Sequence, residues 1–112
     1  LGVFQAARES GKALVFGSNS NQNEVAPDVI IGSVVVDVPH AFLSVAREVA
    51  SGTFTPRVVA MGSPQDAVRL ELNARLQSRI PAATLRAVDS VRAGIAAGTI
   101  VIEPGRAFPP SK

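Results

Sequence analysis

The sequence predicts an α/β protein with a mostly parallel sheet and flanking helices. Three observations carry this. The run Val29-Ile30-Ile31-Gly32-Ser33-Val34-Val35-Val36 is nearly continuous and β-branched, the pattern of a strand buried on both faces, as in parallel sheets. Asp37 and Pro39 then read as a helix start, an N-cap acid followed by a proline in the first turn, where its missing N–H costs nothing. Before them stand an amphipathic stretch and a short apolar run, so residues 1–52 read helix, strand, strand, helix.

Val3, Phe4, Ala7 and Ala6 make one apolar face at helical spacing, with Arg8, Glu9 and Lys12 opposite and Gly11 as the stop. Ala13–Phe16 reads as a short buried strand, followed by a polar loop running to Pro27. After Asp37, the residues Phe42, Val45, Ala46 and Val49 line one helix face, and Gly52 ends it. The second half predicts a short strand over Arg57–Met61 and a turn at Gly62–Asp66. A half-exposed strand follows, in which Val68, Leu70 and Leu72 alternate with Arg69 and Glu71, so the two strands suggest a hairpin. Pro81 opens a long helix whose inward stripe is Leu85, Val88, Val91 and Ile95, with Arg86, Asp89 and Arg92 in solvent. Gly98 stops it, Ile100–Ile102 reads as a last short strand, and residues 104–112 as a Pro-rich, mobile tail.

The chain has 112 residues and 46% hydrophobic content, enough for one small domain with a core and too short for two. The formal net charge is only +2, the nine Arg are scattered, and Trp and Tyr are absent. Neither a basic patch nor a base-stacking platform marks it as a nucleic-acid binder. No Cys is present, which removes disulfides and Cys-based metal or nucleophile sites. No apolar run approaches the roughly 20 residues of a membrane helix, and no signal peptide opens the chain. The first residues lie inside an apparent uncapped helix, so a mature protein that starts abruptly and a piece of a longer one both fit.

An enzyme finds no support. His40 is the only histidine and reads as an exposed residue at a helix start. Ser33 lacks a nucleophile elbow and a base–acid pair. Asp28, Asp37, Asp66, Asp89, Glu24 and Glu48 show no pairing suited to acid–base work, and no phosphate-binding glycine loop occurs. No metal or cofactor is expected. The stretch Phe16-Gly17-Ser18-Asn19-Ser20-Asn21-Gln22-Asn23 stands out, with eight residues and no charge. Ser and Asn at such density form turns; alternatively, the groups read a neutral polar ligand beyond the carboxyl end of a strand, where ligands of open parallel sheets collect.

The segments "GVFQAARESGK", "FGSNSNQNEVAPDVIIGSVV", "ASGTF" and "IAAGTIVIEP", in this order and spacing, resemble the C-terminal part of the basic membrane protein family of ABC-transporter substrate-binding proteins, purine-nucleoside receptor type. The likeness runs through residues 2–103, so residues 1–103 are read as the C-terminal part of such a protein. It implies a periplasmic-binding-protein type I-like fold, two lobes of about 300 residues in all, and a ligand cleft between them. It also implies a transporter permease as partner, and an export signal and lipid anchor upstream. The location would be periplasmic or cell-surface; membrane contact would run through that anchor alone. A ligand-sensing domain of a regulatory protein shares the fold and is the alternative; a generic α/β domain is a third reading.

The resemblance assigns ligand-facing roles to Gly17, Ser18, Asn19 and Val36. Two departures bear on the ligand. Asn19 and Asn21 stand where the family carries loop acids, and Gly32 and Val36 stand where it carries Thr and Lys. A carboxylate and an ammonium are lost together, which is coherent because either left alone in a closed cleft is costly. Asn19 still donates and accepts. The expected ligand is therefore neutral: a purine nucleoside, a nucleobase or a similar polar ring compound.

Overall fold

The computed structural model describes residues 1–102; the expected tail at 104–112 lies outside them. The chain begins with α1 (Gly2–Ser10), closed by Gly11 in the left-handed region at φ 63°, where a residue without Cβ is unstrained. The strands β1 (Val15–Asn19) and β2 (Ile30–Val36) follow. They pair in parallel, in register from Phe16↔Gly32 to Asn19↔Val35, as the β-branched run predicts. Ala7 of α1 is buried against Ala26, Val29 and Ile30, with Phe4 and Val15 packed alongside. Ile31, Val35, Ala67 and Leu76 are buried as well.

Then comes α2 (Val38–Ala50), and Asp37 caps it as expected, its carboxylate accepting from the His40 N–H at 2.9 Å. The turn at residues 62–66 contains a 3₁₀ turn (Ser63–Gln65) and leads into β3 (Val68–Leu72). A second 3₁₀ turn (Gln77–Arg79) precedes α3 (Ala82–Ala96). The sheet order is β1-β2-β3, with β3 antiparallel to β2 from Gly32↔Leu72 to Val36↔Val68. The sheet is therefore mixed, one parallel and one antiparallel pair.

Several expectations need correction. The first strand starts two residues later than Ala13 and runs on through Asn19, so Gly17, Ser18 and Asn19 belong to the strand and the loop starts at Ser20. Arg57–Met61 is not a strand, and no hairpin forms across residues 62–66. β2 is paired on both edges, by β1 and by β3, and residues 57–61 pair with neither outer strand, so their backbone groups have no ladder partner. Val58 is accordingly fully exposed. Ile100–Ile102 forms no strand either. Within β2, Ile30–Ser33 and Val35 are buried but Val34 and Val36 are exposed. The α3 stripe is only half covered: Leu85, Val88 and Ile95 are partly buried, while Val91 is exposed.

The apolar face of α2 is likewise bare, with Phe42 74% exposed and no residue of the helix buried. The radius of gyration, 17.7 Å, exceeds the value of about 13 Å for a compact chain of this length. The three helices and three strands that form are ones the sequence predicts; the strands expected at 57–61 and 100–102 and the closure of the second half are not found.

Candidate functional site

The pleat sorts the site residues onto two faces. Residues in register across a sheet share a face, and neighbours along a strand alternate. Asn19, Val35 and Arg69 form one cross-strand row, and Gly17, Ser33 and Glu71 form the next. Ser18, Val34 and Leu70 fall on the opposite face, with Val36 and Val68 beyond them. Of the four residues expected to face a ligand, Gly17 and Asn19 thus share one face, and Ser18 and Val36 the other.

Gly17 is buried, and its role is close approach. A Cβ there would sit 2.6 Å from Ser33 Oγ and 2.9 Å from Gln22 Cβ. Ser18 and Asn19 are exposed. Asn19 ends β1 at the carboxyl edge of the parallel pair with φ 71°; asparagine is among the few residues that tolerate this region.

The uncharged stretch divides into two jobs. The loop after Asn19 does not stand off the sheet edge but folds back over the face of Gly17 and Ser33. Gln22 N–H donates to Ser33 Oγ at 3.0 Å, and Ser33 Oγ–H donates to Asn23 Oδ1 at 2.8 Å. Asn23 Nδ2 donates to the Glu71 carbonyl at 3.2 Å, Gln22 Oε1 accepts from Ser18 N–H at 3.3 Å, and Asn21 Oδ1 accepts from Asn23 N–H. Ser33 is fully buried and its hydroxyl is committed on both sides, so it is a scaffold group, with no base beside it to make it a nucleophile. Asn73, also buried, donates to the carbonyls of Pro27 and Ile30 and pins the far end of the loop. Asn21, Gln22 and Asn23 thus build the loop, while the side chains of Asn19 and Ser20 make no hydrogen bond among the described residues.

Asp37, Arg69 and Glu71 form a charged group on the same face as Asn19. Arg69 Nη1 donates to Asp37 Oδ2 at 2.7 Å and Nε to Glu71 Oε1 at 2.8 Å. The hydrogen bond from Arg69, with that from His40 N–H, holds the Asp37 carboxyl below its usual range and so ionised. The sequence signal for this group was present in the alternation of β3, but its register against β2 was not. No cluster of three metal-ligating side chains occurs among the described residues. A crevice of about 190 Å³ between β3 and α3 lies on the opposite face, lined largely by Val68, Leu70, Val88 and Val91, and reads as incomplete helix–sheet packing.

This arrangement has relatives. The fold matches a crystal structure described as ABC transporter system solute-binding proteins, from Aeropyrum pernix K1, with a TM-score of 0.74 and 19% sequence identity. The match covers 95% of this chain and 38% of that one, so the chain spans well under half the length of the solved protein. The family model Bmp, ABC transporter substrate-binding protein PnrA-like, matches residues 1–100, and the chain belongs to that family. No curated protein matches it.

Proposed function

We propose that this chain is the C-terminal part of the solute-binding component of an ABC uptake system. It binds, without catalysis, a purine nucleoside, nucleobase or similar neutral polar ring compound. The observation that carries the reading is Asn19, a neutral donor and acceptor held exposed at the carboxyl edge of the β1–β2 parallel pair, where ligands of open α/β sheets collect. Gly17, buried against Ser33 and Gln22, shapes the strand that carries Asn19. Ser18 and Val36 lie on the opposite face, so on this reading Asn19 is the one of the four expected residues that meets the ligand. Family membership supports the transport role, and the buried, fully bonded Ser33 supports binding over chemistry. Partners on this reading are the small-molecule ligand and a transporter permease; the location is extracytoplasmic, with a lipid anchor upstream of Leu1.

Calorimetry of the full-length protein with adenine, guanine, adenosine, inosine and riboflavin tests this. Binding of at least one purine compound is expected, and Asn19→Ala is expected to weaken the best ligand about tenfold, the loss of one good hydrogen bond. Unchanged affinity in Asn19→Ala would leave the stretch as a turn and nothing more. Residues 1–112 alone are expected to bind weakly, because a pocket normally encloses most of its ligand and this chain spans 38% of the related solved chain.

A further inference from the structure

Between the end of α2 and the turn at residues 62–66, the backbone is held at both ends and free in the middle. At the near end, the Glu48 carbonyl accepts from the N–H groups of Thr53 and Phe54. At the far end, the Gly62 N–H donates to Gln65 Oε1 at 2.8 Å, and the Gly62 carbonyl accepts from Gln65 and Ala67. No backbone N–H of residues 55–61 finds an acceptor among the described residues. Residues 51–60 are exposed, Val58 completely. Arg57 stands in the middle of this stretch. Its Nη2 donates to both carboxylate oxygens of Glu48, at 2.8 and 3.0 Å, and the two side chains are 41% and 29% exposed.

We infer that residues 55–61 are a proteolytic processing site, at which an arginine-selective endopeptidase hydrolyses the Arg57–Val58 bond and the two products stay assembled. Arg57 enters the acidic specificity pocket of such an enzyme. Water adds across the amide as its C–N bond breaks, the hydroxyl going to the Arg57 carbonyl carbon and the proton to the Val58 nitrogen. An extended peptide docks by lending its backbone to another protein's sheet edge, and a segment without internal bonds reaches that form without breaking any. Pro56 also biases Thr55 toward extended backbone. Exposed, weakly bonded segments are where nicking concentrates. The other basic positions are less open. Arg8, Arg47, Arg86 and Arg92 lie within helices and Arg69 within β3. After Arg75 and Arg79, the N–H groups of Leu76 and Ile80 are bonded to the carbonyls of Asn73 and Gln77. Those of Lys12 and Ala13 are held by Ser10 Oγ. The pieces stay together because the cut falls between β2 and β3, which remain paired from Gly32↔Leu72 to Val36↔Val68. Arg69 also bonds Asp37 across the cut, and Asn73 bonds the carbonyls of Pro27 and Ile30. Glu48 competes with the protease for the Arg57 guanidinium, so this ion pair slows the cut.

The test is limited digestion of the full-length protein with trypsin, mapped by mass spectrometry. Within residues 1–102, the first cut is expected at Arg57–Val58. The nicked protein is expected to elute as one species in gel filtration and to separate only in denaturant. Glu48→Gln keeps the side-chain shape and is expected to speed the cut about two- to fivefold, the release of a partly exposed ion pair. Arg57→Gln is expected to abolish the tryptic cut, while thermolysin, which cuts before large apolar residues, still opens the segment at Val58 or Val59. A first tryptic cut elsewhere within residues 1–102 overturns the inference, as does resistance of the segment to both enzymes. Fragments that part without denaturant overturn the assembled product. An unchanged rate in Glu48→Gln overturns the restraint by the ion pair.

Discussion

The segment from α1 to the end of β2 and the segment formed by α2, residues 51–61 and α3 carry equally clear sequence patterns, yet only the first is closed. In the first, Ala7, Ala26, Val29 and Ile30 bury one another, and the loop between the strands is bonded to Ser33. In the second, two amphipathic helices have no buried residue, and residues 51–60 are exposed throughout. Hydrophobic periodicity states that a face needs a partner; it does not state that the partner lies in the same 112 residues.

The sharpest test of this contrast is truncation of one apolar side chain from each segment. Ile30 is fully buried, and Ile30→Ala is expected to cost about 2–5 kcal/mol, transfer plus cavity. Phe42→Ala removes a larger side chain that is 74% exposed and is expected to change stability by about 0.5 kcal/mol or less. Val91→Asp, which the stripe pattern alone marks as an unfolding substitution, falls near the Phe42 value because Val91 is 48% exposed. Denaturant midpoints with slopes measure all three. Equal losses at Ile30 and Phe42 in the 112-residue chain would erase the distinction. A small loss there with a large one in the full-length protein would show that the α2 face is covered by the rest of the polypeptide.

Glycines give the next test. Gly17→Ala forces a Cβ to within 2.6 Å of Ser33 Oγ and 2.9 Å of Gln22 Cβ, between a strand and a bonded loop, and is expected to cost about 1–3 kcal/mol. Gly94→Ala also meets a neighbour, Ile100, with Cδ1 at 2.8 Å and Cγ1 at 2.9 Å, but both atoms belong to a flexible side chain 40% exposed. It can swing away, and Ala is a better helix residue than Gly by about 1 kcal/mol. Gly94→Ala is therefore expected to be neutral or stabilising. Thermal melts separate the two, and destabilisation of similar size at both positions would contradict the reading.

What could be read from the residues follows the same divide. Local signals were legible. Asp37 with Pro39 marked the start of α2, Gly11 and Gly98 marked helix ends, and the alternation of residues 68–72 marked β3. Long-range pairing was not. Nothing local distinguishes Val58 and Val59, which stay out of the sheet, from Val34 and Val35, which enter it; the difference is that β2 pairs with β1 and with β3, while residues 57–61 pair with no strand. The site was legible to the same degree. Asn19 could be placed at a strand's carboxyl end, but its cross-sheet row with Arg69 depends on an antiparallel register that joins residues 32 positions apart along the chain at Asp37 and Arg69. Nor could the stretch from Phe16 to Asn23 be divided between scaffold and surface, because Ser33, which divides it, lies ten residues downstream of Asn23.

The hydrogen-bonded loop invites a smaller perturbation than either. Ser33→Ala removes the hydroxyl that accepts from Gln22 N–H and donates to Asn23 Oδ1, leaving two polar groups without partners inside the structure, and is expected to cost about 1–2 kcal/mol. Ser51→Ala, at the end of α2, removes an exposed hydroxyl bonded to the Glu48 carbonyl and to Thr53, both of which water can satisfy. Its effect is expected to lie within about 0.5 kcal/mol. Amide hydrogen exchange reads the local consequence, with faster exchange at Gln22 and Asn23 in Ser33→Ala. Unaltered exchange there would mean that the loop is held without Ser33, by the bonds of Asn23 to Glu71, of Gln22 to Ser18 and of Asn73.

The smallest effect is expected from the ion pair that ties α1 to the start of β2. Arg8 donates from Nε and Nη2 to the two oxygens of Asp28 at 2.6 Å each. The side-chain hydrogen bond from Arg8 lowers the Asp28 pKa from 3.8 to about 2. A carboxyl more acidic folded than unfolded stabilises the fold above the unfolded pKa and ceases to do so as the pH falls through the folded one. The contribution is therefore constant at neutral pH and disappears between about pH 4 and pH 2. Both side chains are about half exposed, 45% and 51%, so salt screens the pair and its contribution is small. Asp28→Asn is expected to lower the melting temperature slightly at pH 7, to flatten the acid limb between pH 4 and pH 2, and to converge with wild type below that. Raising the salt concentration at pH 7 is expected to narrow the gap as well. An acid limb unchanged by Asp28→Asn would mean that α1 is held by Ala7 and Phe4 alone.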